Sequence, residues 1–136
     1  MLLSIIIATY NRSTDVKKVV NELENQFEHL LIDYPGEDIK SKVELVLVDN
    51  NSSDDTGAMA FQKLSEQSRK KADDQFLELK YFLEIEQGSS QARNRGIKEA
   101  RANLLAFLDD DIELDKSWLK NLYKIAKTQP KEFCNG

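Results

Sequence analysis

The 136-residue chain has one cysteine, Cys134, so no disulfide can form within it, and that usage fits a reducing compartment. It has one histidine, His29, which leaves no second imidazole for a histidine-pair metal site. His29 falls on the polar side of a helical pattern and reads as a surface residue. Positive charge is in deficit. The 19 Lys and Arg stand against 24 Asp and Glu, a net charge of −5, so no basic face is offered to nucleic acid or anionic lipid. A phosphate-bearing ligand would need a helix end, an arginine or a metal ion. No apolar run is long enough to cross a membrane, and the opening MLLSIIIA lacks a basic leader and is too short for a signal peptide. No internal repeat and no low-complexity tract is present. These absences point to a cytoplasmic globular chain, one domain over residues 1–136, with a peripheral place at the inner face of the membrane left open.

What is present is alternation. Residues 2–8 (LLSIIIA), 43–49 (VELVLVD) and 104–109 (LLAFLD) are short and apolar, and they read as buried strands. In residues 76–84 (FLELKYFLE), Leu77, Leu79, Tyr81 and Leu83 alternate with a more polar set that includes Glu78 and Lys80, the pattern of a strand at a sheet edge. Val16, Val19, Val20, Leu23, Phe27, Leu30 and Leu31 follow helical spacing, with Ser13, Thr14 and Asp15 as capping candidates. A weaker helix follows NNSSDDTG and carries Met59, Phe61 and Leu64. GSSQARNRGIKEA predicts a third, with Ala92 and Gly96 one turn apart and small enough for close packing. The last runs from about Lys116 through Trp118, Leu119, Leu122 and Ile125, with Pro130 just beyond it.

Strand and helix in repetition predict an α/β three-layer sandwich with a mostly parallel sheet in the order 3-2-1-4. That order creates a topological switch point between strands one and four, where ligands bind outside the carboxyl ends of the strands. Strand one ends in Thr9-Tyr10-Asn11, strand two in Asp49-Asn50-Asn51 and strand four in Asp109-Asp110-Asp111. Three apolar strands turn polar at the same end.

Continued as an extended strand, Asp109 and Asp111 would point to one side, about 6.6 Å apart, with Asp110 facing the other way. Their repulsion is roughly 2.5 kcal/mol at an effective dielectric of 20 and about 0.6 in water. An exposed acidic turn capping the next helix through Asp115 is therefore cheap. Partly buried, the same carboxylates want a cation, and hard oxygens suit Mg²⁺ or Mn²⁺. Both readings stay open on spacing alone. Asp49 could cap the following loop, and the SSDD of residues 52–55 reads as a helix cap. Arg93, in the first turn of the third helix, could meet a phosphate or serve solubility.

Taken together, the segments resemble the nucleotide-sugar-binding half of a family 2 glycosyltransferase of the GT-A fold. LSIIIATYNR is similar to that family's opening strand, VELVLVDNNSSDDT to its V-D-x-x-S-x-D-x-T segment, GSSQARNRGI to G-x-x-x-A-R-N-x-G-I, and FLDDDIELDKSWL to the F-L-D-x-D segment with its metal-binding D-x-D. Ala8 departs from the family, standing where proline is common. The resemblance implies that Thr9, Tyr10, Asn11 and Asp49 hold the nucleobase and ribose, Asp49 accepting from a uracil-type N–H, and that Arg93 approaches the base or diphosphate. It implies that Asp109 meets the ribose or metal side of the donor and that Asp111 ligates the cation, with Asp110 a weaker donor-binding candidate. It also implies inverting transfer from a nucleotide-diphosphate sugar, UDP-type favoured, to a saccharide or lipid-linked acceptor.

The family's acceptor base is a carboxylate from the second half of the catalytic domain. The later acids here, Glu113, Asp115 and Glu132, match no base motif, so the base is expected beyond Gly136. A chain truncated before its acceptor half would bind nucleotide and metal weakly and transfer sugar poorly alone. It could also self-associate through an open edge beside strand four. A nucleotidyltransferase would carry a glycine-rich loop after strand one, and residues 9–13 contain no glycine. A non-catalytic module built on the same fold is the other alternative.

Overall fold

The computed structural model describes residues 1–129. Pro130, Glu132, Cys134 and Gly136 lie outside the described residues. Four strands, β1 (Leu3–Thr9), β2 (Val43–Asp49), β3 (Glu78–Leu83) and β4 (Leu104–Leu108), alternate with four helices, α1 (Ser13–Asp33), α2 (Thr56–Ser68), α3 (Ser89–Glu99) and α4 (Trp118–Thr128). All pairings are parallel, in the order β3-β2-β1-β4. The expected sandwich and strand order are both present. β3, the strand with the wetter face, is one edge, and β4 is the other.

Period-two alternation divides the sheet between two cores. Leu3, Ile5, Ile7, Leu45, Leu47 and Leu79 face one layer with the apolar stripe of α1, with Met59 and Ala60 of α2 and with Leu119 and Tyr123 of α4. Ile6, Val46 and Val48 face the other way, onto Ala92 of α3. That second interface is thin because α3 presents small residues to it. A Cβ built at Gly96 would stand 2.5 Å from Ile6 Cγ2, inside any tolerable contact. Gly96→Ala gains helix propensity of about 1 kcal/mol but must push α3 off the sheet, an overpacking cost of about 1–3 kcal/mol. The expected outcome is a net loss of stability, read as a lower urea midpoint at unchanged slope; a midpoint that rises would contradict the close packing.

The helix starts differ from the sequence expectation. α1 begins after Arg12 with no side-chain cap of its own, and the Ser13 N–H instead donates to Asp54 Oδ2 at 3.0 Å, from the loop after β2. Asp54 also accepts from the Thr56 N–H and hydroxyl, so one carboxylate closes the starts of two helices. α4 begins at Trp118 with Ser117 at its N-cap. Asp115 accepts from the Ser117 N–H at 3.2 Å, and buried Gln26 of α1 accepts from the Leu119 N–H at 2.9 Å.

At the amino end of the sheet lies a charge that the strand pattern conceals. Glu44, the second residue of the otherwise apolar β2, is 0% exposed. It accepts from Ser4 Oγ at 2.6 Å, Lys80 Nζ at 2.7 Å and the Arg101 N–H at 2.8 Å. Burial pushes its carboxyl up, and the bonds from Lys80, Ser4 and Arg101 outweigh that, leaving it below its ordinary value of 4.5.

Candidate functional site

β1 and β4 are neighbours where the strand order reverses, β1 connecting to β2 through α1 on one face of the sheet and β3 returning to β4 through α3 on the other, so their carboxyl ends open a crevice. A cleft of about 530 Å³ occupies it. Ala8, Thr9, Tyr10 and Arg12 come from the end of β1, and Asp109, Asp110 and Asp111 from the end of β4. Asn50 follows β2, and Gln87, Gly88, Ser89 and Ala92 bring the start of α3 to the opposite wall. The small side chains of Ala8 and Ala92 leave the space, and the polar groups rim it.

Asn50 sets the position of the α3 wall. Its Nδ2 donates to the carbonyls of Glu84 at 3.1 Å and Glu86 at 2.7 Å, and its Oδ1 accepts from the Gly88 N–H at 2.9 Å. Gly88 is at φ +132°, a conformation costly to a side chain, and it turns the chain into the first residue of α3. The N-terminal N–H groups of a helix are an electropositive end. Asn11, at φ 52°, does the same for the β1 side. Its Oδ1 accepts from the Ser53 N–H at 2.7 Å, tying the loops after β1 and β2 together.

The acidic triplet is arranged otherwise than the extended-strand argument expects. β4 stops at Leu108, and Asp110 and Asp111 form a turn, so strict alternation ends before them. Asp110 is the most enclosed of the three. It accepts from Thr9 Oγ1 at 2.9 Å across the β1–β4 junction, and its Oδ1 lies 3.9 Å from Arg12 Nε. Burial raises its carboxyl, and the Thr9 hydroxyl and Arg12 oppose this without cancelling it. Asp111 is exposed and paired to Arg12 Nη1 at 2.6 Å. Asp109 is exposed and, among the described residues, has no hydrogen-bond or ion-pair partner.

The cleft therefore brings together Thr9, Tyr10, Asp109, Asp110 and Asp111 of the expected site residues. It does not bring in Asn11, Asp49 or Arg93. Asp49 is 2% exposed, accepting from Tyr81 Oη at 2.6 Å and from the Ser52 N–H at 2.9 Å. Arg93 lies over the Phe107 ring, 4.2 Å from its centroid. Arg12, Asn50 and Gln87 are wall residues to which the sequence reading gave no role.

Carboxylate oxygens of Asp109 and Asp111 are hard donors of the kind Mg²⁺ and Mn²⁺ take. Among the described residues no group of three or more His, Cys, Asp or Glu forms a ready metal cage. A cation here would draw its remaining ligands from water and a ligand's phosphates, which is how Mg²⁺ is commonly bound.

The sequence pattern of Glycosyl transferase family 2 matches residues 4–135, nearly the whole chain. The chain belongs to glycosyl transferase family 2. Among its relatives, the GalNAc(5)-diNAcBac-PP-undecaprenol beta-1,3-glucosyltransferase of Campylobacter jejuni is 33% identical over 126 residues, 91% of this chain and 34% of that protein. S. aureus TarS 1-349, solved in complex with UDP-GlcNAc, superposes with a TM-score of 0.63 at 26% identity, covering 93% of this chain and 31% of that one. The mannosyltransferase PcManGT from Pyrobaculum calidifontis, solved with GDP-Man and Mn²⁺, gives 0.67 at 25% identity, covering 94% and 32%. The fold is that of GT-A glycosyltransferases. The chain spans about a third of the length of the curated relatives it matches. Among the described residues, no helix of this family 2 chain is long and apolar enough to cross a membrane.

Proposed function

We propose that this chain forms the donor-binding side of an inverting sugar transferase, holding a nucleotide-diphosphate sugar, UDP-type favoured, together with Mn²⁺ or Mg²⁺. The observation that carries the reading is the placement of the exposed Asp109 and the Arg12-paired Asp111 across one cleft from the amino end of α3. An acidic rim facing an electropositive helix start suits a ligand that is an anion bridged by a cation.

Thr9 and Tyr10 flank the nucleoside on the β1 side, with Asn11 bracing the loop behind them. Asp49, buried and outside the cleft lining, would accept a uracil N–H only by releasing its bond from Tyr81 Oη. Asp109 and Asp111 would hold the cation, and Asp110, locked to Thr9, fixes the turn that aims them. When bound, the cation supplies electrostatic stabilisation of the diphosphate leaving group. The start of α3 and Arg12 add donors and positive charge where negative charge develops as the sugar–phosphate bond breaks. Arg93 would reach the diphosphate only by leaving Phe107. None of the three acids is assigned as the acceptor's base, because each has another task. The acceptor is proposed to be a saccharide, lipid-linked as in the Campylobacter relative's name.

Calorimetric titration of UDP and GDP, each with and without Mn²⁺, tests the reading. UDP is expected to bind at least about tenfold tighter with Mn²⁺ than without, a difference of about 1.4 kcal/mol, and tighter than GDP. Absence of nucleotide binding under all four conditions would remove the proposed function.

A further inference from the structure

Arg12 holds the acids of the cleft while lying beside the space a diphosphate would fill. Its Nη1 is 2.6 Å from Asp111 Oδ2, and its Nε is 3.9 Å from Asp110 Oδ1. The side chain is 50% exposed and lines the cleft. Its root is fixed: the Arg12 carbonyl accepts from the Val16 N–H at 2.9 Å at the start of α1. A flexible stem on a fixed base lets the guanidinium change partners without moving the fold. The pair is charge-assisted yet open to solvent, so it is specific and still exchangeable. A guanidinium and a divalent ion cannot both occupy the face of Asp111 that Arg12 now covers.

We infer that Arg12 is a stand-in cation that couples the two halves of the ligand. In the free protein it neutralises Asp110 and Asp111; on binding, it yields Asp111 to the divalent ion and moves onto the diphosphate that accompanies it. This rests on the donor-site reading above and adds a positioning role that the D-x-D resemblance does not contain. The ion alone must displace Arg12 from Asp111 and leave its charge only the longer, 3.9 Å contact with Asp110. With a diphosphate present, the guanidinium gains a new anion as it loses the old one. Ion and nucleotide then bind cooperatively, and the coupling is reciprocal.

The test compares the full chain with Arg12→Gln and Arg12→Lys, following free Mn²⁺ by electron paramagnetic resonance and UDP by calorimetry, each with and without the other ligand. Circular dichroism checks that the variants are folded. Arg12→Gln is expected to bind Mn²⁺ alone several-fold tighter, yet to bind UDP in Mn²⁺ several-fold weaker, so that the coupling factor falls by about tenfold. A residue that merely braced the loop would weaken both. Arg12→Lys, a point charge without the fork, restores part of the coupling. Mn²⁺ affinity that is unchanged or weaker in Arg12→Gln, or a coupling factor equal to that of the unsubstituted chain, overturns the inference. Failure of the unsubstituted chain to bind either ligand overturns the donor-site reading itself, and is recognised because the loss precedes any substitution.

Discussion

Asp109→Asn is expected to lose most of the gain that Mn²⁺ gives UDP affinity, about tenfold or about 1.4 kcal/mol, while changing metal-free UDP binding little. Asp109 is the acid of the rim with no partner among the described residues. Its removal therefore breaks no internal hydrogen bond, and its loss reports on the ligand rather than on the fold. The amide is nearly isosteric, keeps an oxygen and loses the charge that a hard cation requires. Asp110→Ala provides the contrast. It removes the acceptor of the Thr9 hydroxyl at the β1–β4 junction, so that variant is expected to show its cost in thermal stability. Equal losses of UDP affinity with and without Mn²⁺ in Asp109→Asn would mean that Asp109 touches the nucleotide directly and holds no ion.

Lys80→Met is expected to cost about 2–3 kcal/mol of folding stability. Breaking a buried ion pair by removing one partner strands the other charge, and the 23% exposure of Lys80 moves the figure toward the low side of the usual range. Its pH profile carries a sign that simple loss of packing does not. In the unsubstituted chain Glu44 sits below 4.5, so its contribution is fully present above that value and is lost as pH falls through the folded-state value. Without Lys80 the largest of the bonds that oppose burial is gone, so the carboxyl rises relative to the unsubstituted chain. The variant's carboxylate form is then stabilised less by folding, and less stability is lost as it protonates on acidification. The stability gap between the two proteins should therefore narrow on acidification from pH 7 to pH 4, as followed by urea denaturation. A gap independent of pH would place the cost elsewhere.

The architecture was legible because it rests on local patterns. Apolar runs of strand length alternated with helical stripes, and Glu78 and Lys80 marked β3 as an edge. The small pair Ala92 and Gly96 announced the close α3 contact. The strand-end rule then placed Thr9, Tyr10 and the three aspartates around one cleft. What escaped depended on where a strand stops and on partners distant in sequence. Asp110 turns toward Thr9 because β4 ends at Leu108, and no alternation reveals that. Asp49 is engaged by Tyr81, and Arg93 by Phe107, partners that become neighbours only once the sheet and α3 are assembled. Arg12 carries no signal of its own in the turn after β1, and its ion pair depends on Asp111, 99 positions away. Glu44 interrupts an apolar run in plain view; its meaning required Lys80 on the neighbouring strand and Ser4 on the other side.

The decisive measurement is an amide-resolved NMR titration of the chain with UDP in the presence of Mg²⁺, which locates the ligand. The largest shifts are expected on Thr9, Tyr10, Arg12 and Asn50, on residues 87–92 and on Asp109 to Asp111. Shifts gathered instead in the groove between α1 and α4, around Gln26, His29 and Lys120, or no shifts at saturating nucleotide, would contradict the donor-site reading.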